Sequence, residues 1–165
     1  MITSSIVRRL LALRSLVARP VTEQRPRPTG PPHVVRFPGS VQLRHVDVGS
    51  CNGCEIEIAS AFGPHYDASR FGARLVASPR HADGVLVTGV VTRNMAGPLR
   101  RTLDAVPRPF AVVACGDCAI NGGIFAGAYG VECDLEQIAK ADVAIPGCPP
   151  DPTAITEALR GLTGR

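Results

Sequence analysis

The sequence predicts one doubly wound parallel α/β domain, and three observations carry that expectation. From Val41 onward, short apolar runs alternate with helical stretches, the pattern of a parallel sheet joined by crossover helices. The runs GVLVTG (84–89) and FAVVA (110–114) are apolar throughout, as in strands covered on both faces. Cysteines follow the ends of such runs in loops crowded with Gly and Pro: Cys51 and Cys54 in GSCNGCEIEI, Cys118 in ACGDCAINGG, and Cys148 in PGCPPDP.

The chain divides into a basic helix (1–19), a linker (20–40) and the α/β domain (41–165). In the first segment Ile6, Leu10, Leu13 and Val17 fall on one narrow helical stripe flanked by Arg9 and Arg14. A signal peptide fits poorly, because Arg14 interrupts the apolar region and no small-residue cleavage site follows. An Arg-rich, acid-poor transit peptide fits better. A helix that docks on a membrane subunit or lies at the interface accounts for the stripe, with a frayed, solvated tail as the plain alternative. The linker is dense in Pro, Arg and Gly and is expected to be extended. Its arginines come without a stacking platform or a groove-reading helix, so no nucleic-acid partner is expected.

Within the domain, VQLRHVDV (41–48) alternates like a strand, and 55–62 reads as a helix with acids in its first turn. Short strands follow at 74–77 and 84–89. The stretch 95–105 looks helical, with Pro98 as its firm start. The strand 110–114 runs into Cys115, a glycine-rich loop follows, and 134–140 reads as an acidic helical stretch. The last strand is DVAI (142–145). A helix over 152–162 closes the domain, with Asp151 as N-cap and Pro152 at the first helical position. Right-handed crossovers put all strand C-terminal ends on one edge, where open α/β sheets bind ligands. The three cysteine loops should therefore meet in space.

Composition bounds the function. The 165 residues suffice for one domain with a core of Val, Ile, Leu and Ala, since Trp is absent and aromatics are few. The net charge of +4 concentrates before Val41, where many arginines accompany one acid, Glu23, suggesting a basic arm for an acidic partner or a membrane surface. No apolar run approaches the roughly 20 residues of a membrane span. The six cysteines do not sit in a secreted, loop-rich scaffold, so reduced, metal-binding thiolates are the better reading.

Four converging thiolates can hold zinc or an iron–sulfur cluster. CNGC and CGDC each look like half of a zinc ribbon, but a whole βαβ unit separates them, whereas ribbon pairs lie about 15–20 residues apart. A thioredoxin-like CNGC pair would leave GDCA and CPP unexplained. Glycines 49, 53, 116, 122, 123 and 147 would let backbone N–H groups approach cluster sulfurs. Spacing and placement favour iron–sulfur over zinc without closing the choice.

The motifs GSCNGCEIEI, SPRHAD, GDCAINGG and PGCPP, in this order, resemble the small electron-transfer subunit shared by energy-converting [NiFe] hydrogenases and respiratory complex I, where it is the 20 kDa NADH–quinone oxidoreductase subunit. The resemblance spans about 46–162. It implies a flavodoxin-like fold with one [4Fe-4S] cluster held by Cys51, Cys54, Cys118 and Cys148; Cys115 and Cys133 match no ligand position. Complex I subunits present two adjacent cysteines where this chain has C-x-x-C, which is similar to the group 4 hydrogenase branch. The implied role is to relay electrons to or from a large catalytic subunit at the cytoplasmic face of the membrane. Membrane-arm subunits would meet the N-terminal helix, and a ferredoxin-like subunit would lie next to this one. Such a chain is not active alone.

The alternatives are a NADH–quinone oxidoreductase subunit that reduces quinone at a subunit interface, and, from another class, a zinc-stabilised binding module. A flavin or nucleotide site lacks any phosphate loop. Glu57 matches the acid retained in the family and is implied as a proton carrier near the cluster, although Glu55 and Glu57 could simply complement the helix dipole. The resemblance also implies that Arg80 and His81 face the large subunit near the cluster; pairing of Arg80 with Asp83 is the alternative. Asp117 could cap its loop.

Overall fold

The computed structural model describes residues 37–165, so the helix expected at 1–19 and nearly all of the 20–40 linker lie outside the described residues. In chain order the elements are β1 (Val41–Asp47), α1 (Gly53–Ala61), β2 (Ala73–Leu75), β3 (Gly84–Thr88), β4 (Val91–Thr92), α2 (Arg93–Ala105), β5 (Ala111–Cys115), α3 (Asp117–Asn121), β6 (Val131–Cys133), β7 (Val143–Ile145) and α4 (Pro152–Thr163). Five strands form one parallel sheet in the order β2-β1-β3-β5-β7. The chain steps outward from β1 to β2 and then reverses direction to build β3, β5 and β7. That is the strand order of flavodoxin-like doubly wound sheets, whose switch point lies between β1 and β3.

Strand alternation sorts the core into two layers. Leu43, Leu86, Val113, Cys115 and Ile145 face α1 and α4, against Ile58, Ala61, Ile155, Leu159 and Leu162. Val46, Val85, Val87, Val112 and Ala114 face the other way, against Ala96, Leu99, Leu103 and Ala119. A period of two along every strand is what a sheet packed on both faces requires. The helix α4 starts as its sequence suggests: the Asp151 carboxylate accepts from the Thr153 N–H at 2.8 Å, and Pro152 occupies the first turn. The ends of the domain meet where the Phe37 and Gly39 N–H groups donate to Leu162 and Thr163 carbonyls, both at 3.0 Å.

Two expectations need correction. The helix α2 starts at Arg93 rather than at Pro98, and it passes through Gly97 and Pro98. An interior proline costs about 3 kcal/mol. Burial of Leu99 and Leu103 on one face outweighs it, at roughly 1.5–3 kcal/mol for each fully buried side chain. The acidic stretch 134–140 forms one 3-10 turn, Leu135–Gln137, instead of a helix. Leu135 is the buried residue of that turn, and Ile138 and Ala139 beyond it pack partly buried against the same core layer. The sequence also gave no sign of the small antiparallel ribbon of β4 with β6, whose strands are too short for periodicity to register.

Candidate metal centre

The last residues of four strands line up across the sheet: Asp47 beside Thr88, Thr88 beside Cys115, and Cys115 beside Ile145. Every cysteine of the expected ligand set leaves from this edge. The loop after β1 is set by Asp47, whose Oδ1 accepts from the Gly49 and Ser50 N–H groups at 2.8 and 2.7 Å. It delivers Cys51 to the surface and Cys54 into the first turn of α1, on the buried face shared with Ile58 and Ala61. The loops after β5 and β7 are joined reciprocally. Asp117 donates its N–H to the Gly147 carbonyl at 2.9 Å, and its Oδ1 accepts the Gly147 N–H at 2.8 Å. Rather than capping its own loop, Asp117 ties the Cys118 loop to the Cys148 loop.

The thiols sense one another. The Cys118 pKa is raised, first by burial and then by the neighbouring Cys148, Cys54 and Cys51. The three loops meet: a Cβ on Gly53 would lie 3.6 Å from Cys51 Sγ and 3.7 Å from Pro149 Cβ, and one on Gly116 would lie 2.6 Å from Cys54 Sγ and 3.5 Å from the Gly147 carbonyl oxygen. The adjacent Cys115 thiol, opposed by burial, lowers the Cys54 pKa. Cys54 in turn, aided by burial, raises the pKa of Cys115. Among the described residues no three His, Cys, Asp or Glu side chains come close enough to hold a single metal ion. A cubane is a larger object, in which each cysteine binds a different iron, so its ligands stand farther apart than those of one zinc ion.

Two glycines are required by this packing. Gly116 has φ 90° and ψ 154°, and a Cβ there would lie 2.6 Å from Cys54 Sγ. A Cβ on Gly123, also at positive φ, would lie 3.0 Å from Cys118 Sγ. Side chains at either position would occupy the space of a cysteine sulfur. A cleft of about 440 Å³ opens beside them, lined by Asp117, Asn121, Gly123, Ile124 and Cys148. Thiol donors on three loops, glycines that admit backbone close to the sulfurs, and this adjoining space fit an iron–sulfur cluster.

A polar network on the α1 face was not legible in the sequence. Glu55 accepts from Ser50 Oγ at 2.6 Å through Oε2 and from Thr88 Oγ1 through Oε1. His45 Nε2 lies 3.0 Å from Thr88 Oγ1 and 3.6 Å from Glu55 Oε1. Burial lowers the His45 pKa, against the pull of Glu55 and Asp47 and with the help of Arg44. Ser50 also accepts the Asn52 N–H at 3.0 Å, so Glu55 braces the Cys51–Cys54 turn onto the sheet. The partners come from β1, β3 and a loop, and no spacing rule links them. Only the strand phase, which puts His45 and Thr88 on the face of Leu43 and Leu86, could have hinted at the cluster.

Glu57 is half-buried on α1 and has no hydrogen-bond or ion-pair partner among the described residues. Arg80 and His81 form a 3-10 turn before β3, at the sheet edge opposite the cysteine loops. The five residues of β3 separate the two edges, on the order of 15 Å at about 3.3 Å per residue. Their expected place near the cluster is therefore not observed. Nor does Arg80 pair with Asp83, whose carboxylate accepts the Gln42 N–H at 2.8 Å. Cys133 packs half-buried against the second core layer, and burial raises its pKa. Around the cysteine loops, Ile56 and Ile124 are 59% and 80% exposed, large apolar side chains left without cover.

The family described as NADH ubiquinone oxidoreductase, 20 kDa subunit, matches residues 51–162. A probable membrane-bound hydrogenase subunit of Pyrococcus furiosus is 48% identical over 115 residues, covering 70% of this chain and 69% of the relative. Subunit 7 of the Escherichia coli formate hydrogenlyase is 48% identical over 115 residues, covering 70% of this chain and 45% of the relative. Among solved structures, a chain of the membrane-bound sulfane sulfur reductase, an archaeal respiratory membrane complex, superimposes with a TM-score of 0.65 at 35% identity, covering 75% of this chain and 68% of that one. A chain of an NAD+-reducing [NiFe]-hydrogenase shares the fold at 21% identity and a TM-score of 0.56, covering 76% and 94%.

Proposed function

Because the chain belongs to the family of the 20 kDa subunit of NADH ubiquinone oxidoreductase, we propose that it is the [4Fe-4S] electron-transfer subunit of a membrane-associated, group 4 hydrogenase-like complex. What supports this reading is that the three loops carrying Cys51, Cys54, Cys118 and Cys148 all leave the C-terminal edge of the sheet and meet there. In this reading those four thiolates are the ligands, and the cluster supplies one-electron storage and transfer when bound. The chain's own residues do the rest. Asp117 fixes the distance between the Cys118 and Cys148 loops. Glu55, held by Ser50 and Thr88, fixes the Cys51–Cys54 turn. Gly116 and Gly123 leave room for the sulfurs.

Cys51 and Cys148 are exposed, and exposed Ile56 and Ile124 flank them. A cluster there needs shielding from water, and the large catalytic subunit is the partner assigned to cover it. Membrane-arm subunits would contact the segment 1–19, and a ferredoxin-like subunit would be the second electron partner. Among the described residues no helix is long and apolar enough to cross a membrane; the reading places the chain peripherally, on the cytoplasmic face. The related proteins carry the names of hydrogenase, formate hydrogenlyase and sulfane sulfur reductase assemblies. Reaction specificity accordingly belongs to the partner subunit, and Glu57 is retained as the candidate proton carrier facing it.

The test is a serine scan of all six cysteines, with the protein purified anaerobically in its native assembly. Substitution of Cys51, Cys54, Cys118 or Cys148 is expected to abolish one reduced [4Fe-4S] paramagnetic resonance signal and electron transfer with it. Substitution of Cys133 is expected to spare both. Loss of that signal with Cys133→Ser, or its survival in Cys118→Ser and Cys148→Ser, would overturn the ligand assignment.

A further inference from the structure

Cations gather at the corner of the domain where the edge strand β2 meets the end of α4. Arg70 lies in the turn before β2, Arg74 on β2 itself, and Arg160 and Arg165 at the end of α4; all four are exposed. The Arg70 and Arg160 guanidinium carbons lie 4.6 and 4.5 Å from the centroid of one ring, that of Phe71. Arg160 Nε donates to the Arg165 carbonyl at 2.9 Å, which holds a third arginine in the same place. The carboxylates nearby in the chain are half-buried Asp67 and exposed Glu157. Among the described residues neither forms an ion pair with any of the four arginines. Like charges held close repel, and an anionic partner relieves that repulsion.

We propose that this corner rests on a membrane surface rich in anionic phospholipids, with its arginines at the level of the phosphate headgroups. The inference rests on the peripheral placement given above and adds the face of the domain that makes the contact. The chain that precedes the domain joins it here, where the Phe37 and Gly39 N–H groups donate to the Leu162 and Thr163 carbonyls. Seven arginines and one acid, Glu23, precede Phe37, so the corner continues a strongly basic stretch of sequence. That stretch also carries Ile6, Leu10, Leu13 and Val17, spaced three and four apart, and the corner carries Leu75, 42% exposed on β2. Arginines interleaved with apolar side chains match a lipid interface, which offers phosphate outside and hydrocarbon beneath. The cysteine loops lie at the other end of the strands. Twelve residues of α4, about 18 Å at 1.5 Å each, separate the Cys148 loop from the corner. The membrane contact therefore leaves the cysteine edge free for protein partners.

The experiment measures binding of the full chain, purified anaerobically, to vesicles of phosphatidylcholine alone and to vesicles that also contain phosphatidylglycerol. The wild type is expected to bind the anionic vesicles and to ignore the neutral ones. An arginine at an anionic membrane surface contributes about fivefold in affinity, so Arg70→Gln/Arg74→Gln should bind about 25-fold more weakly. Arg70→Lys/Arg74→Lys keeps the charges and should bind as the wild type does. Arg93→Gln/Arg100→Gln removes the same charge from α2, on the opposite face of the sheet, and should also bind as the wild type does. Equal binding to both kinds of vesicle, undiminished binding of Arg70→Gln/Arg74→Gln, or an equal loss in Arg93→Gln/Arg100→Gln overturns the proposal. Release of the native assembly from the membrane by Arg70→Gln/Arg74→Gln, with vesicle binding intact, would reveal an acidic protein partner and overturn it too. A wild-type assembly recovered free of membranes overturns instead the placement on which the inference stands.

Discussion

Replacing Gly116 with alanine probes the packing of the site at its tightest point. The backbone there, at φ 90° and ψ 154°, lies in a region that essentially only glycine occupies, and a side chain costs about 1–3 kcal/mol. The new Cβ would lie 2.6 Å from Cys54 Sγ. Ordinary contacts between such atoms begin near 3.5 Å, so the sulfur must retreat by about 1 Å. Overpacking of this kind adds about 1–3 kcal/mol. The sum is about 2–6 kcal/mol, or on the order of 10–20 °C in Tm for a domain of this size. A displaced Cys54 should also bind iron poorly. Iron and acid-labile sulfide per chain, measured after anaerobic purification, are expected to fall by more than tenfold, alongside the lower Tm. A Gly116→Ala protein with wild-type iron content and wild-type melting would refute the reasoning, because Cys54 could not then lie where it is described.

The other expectations use the same thermal and iron assays. Gly161 lies inside α4 with open space where a Cβ would go, so Gly161→Ala should stabilise the domain by about 0.5–1 kcal/mol with iron content unchanged. Asp117→Ala leaves the Gly147 N–H without its acceptor; a loss of about 1.5–3 kcal/mol and weaker cluster retention are expected, with Asp117→Asn in between. Glu55→Ala strips acceptors from Ser50 and Thr88 and should cost about 2–4 kcal/mol, with Glu55→Gln again intermediate. His45, faced by Glu55, Asp47 and Arg44, has its folded pKa held below 6.5 by burial. The unfolded chain therefore binds its proton more readily, so the stability this brings is present above pH 6.5 and is lost as the pH falls through the folded value. A His45→Gln protein should show a flatter Tm profile below that pH.

Much of the fold was legible because its signals are local. GVLVTG and FAVVA announce buried strands by composition, and Asp151-Pro152 announces a helix start. The convergence of the cysteine loops followed from topology, since parallel strands put their C-terminal ends together. What escaped depends on contacts between elements. Pro98 reads locally as a helix start, and only the packing of Leu99 and Leu103 against the sheet explains a helix that begins before it. Glu55 reads as one of two acids in a first turn, and its distinction from Glu57 comes from Thr88 and His45 on neighbouring strands. Arg80 and His81 followed the family pattern in sequence, but the direction of β3 carries them to the far edge. The buried place of Cys115 could have been found by counting alternate residues along β5: positions 111, 113 and 115 share the α1 face.

The most direct measurement of the central assignment is native mass spectrometry of this chain, released from its assembly without exposure to air. One bound [4Fe-4S] unit is expected, and its mass increment should vanish in Cys118→Ser and Cys148→Ser but persist in Cys115→Ala. A single zinc ion on the chain, or no bound metal with all six cysteines open to alkylation, would contradict it.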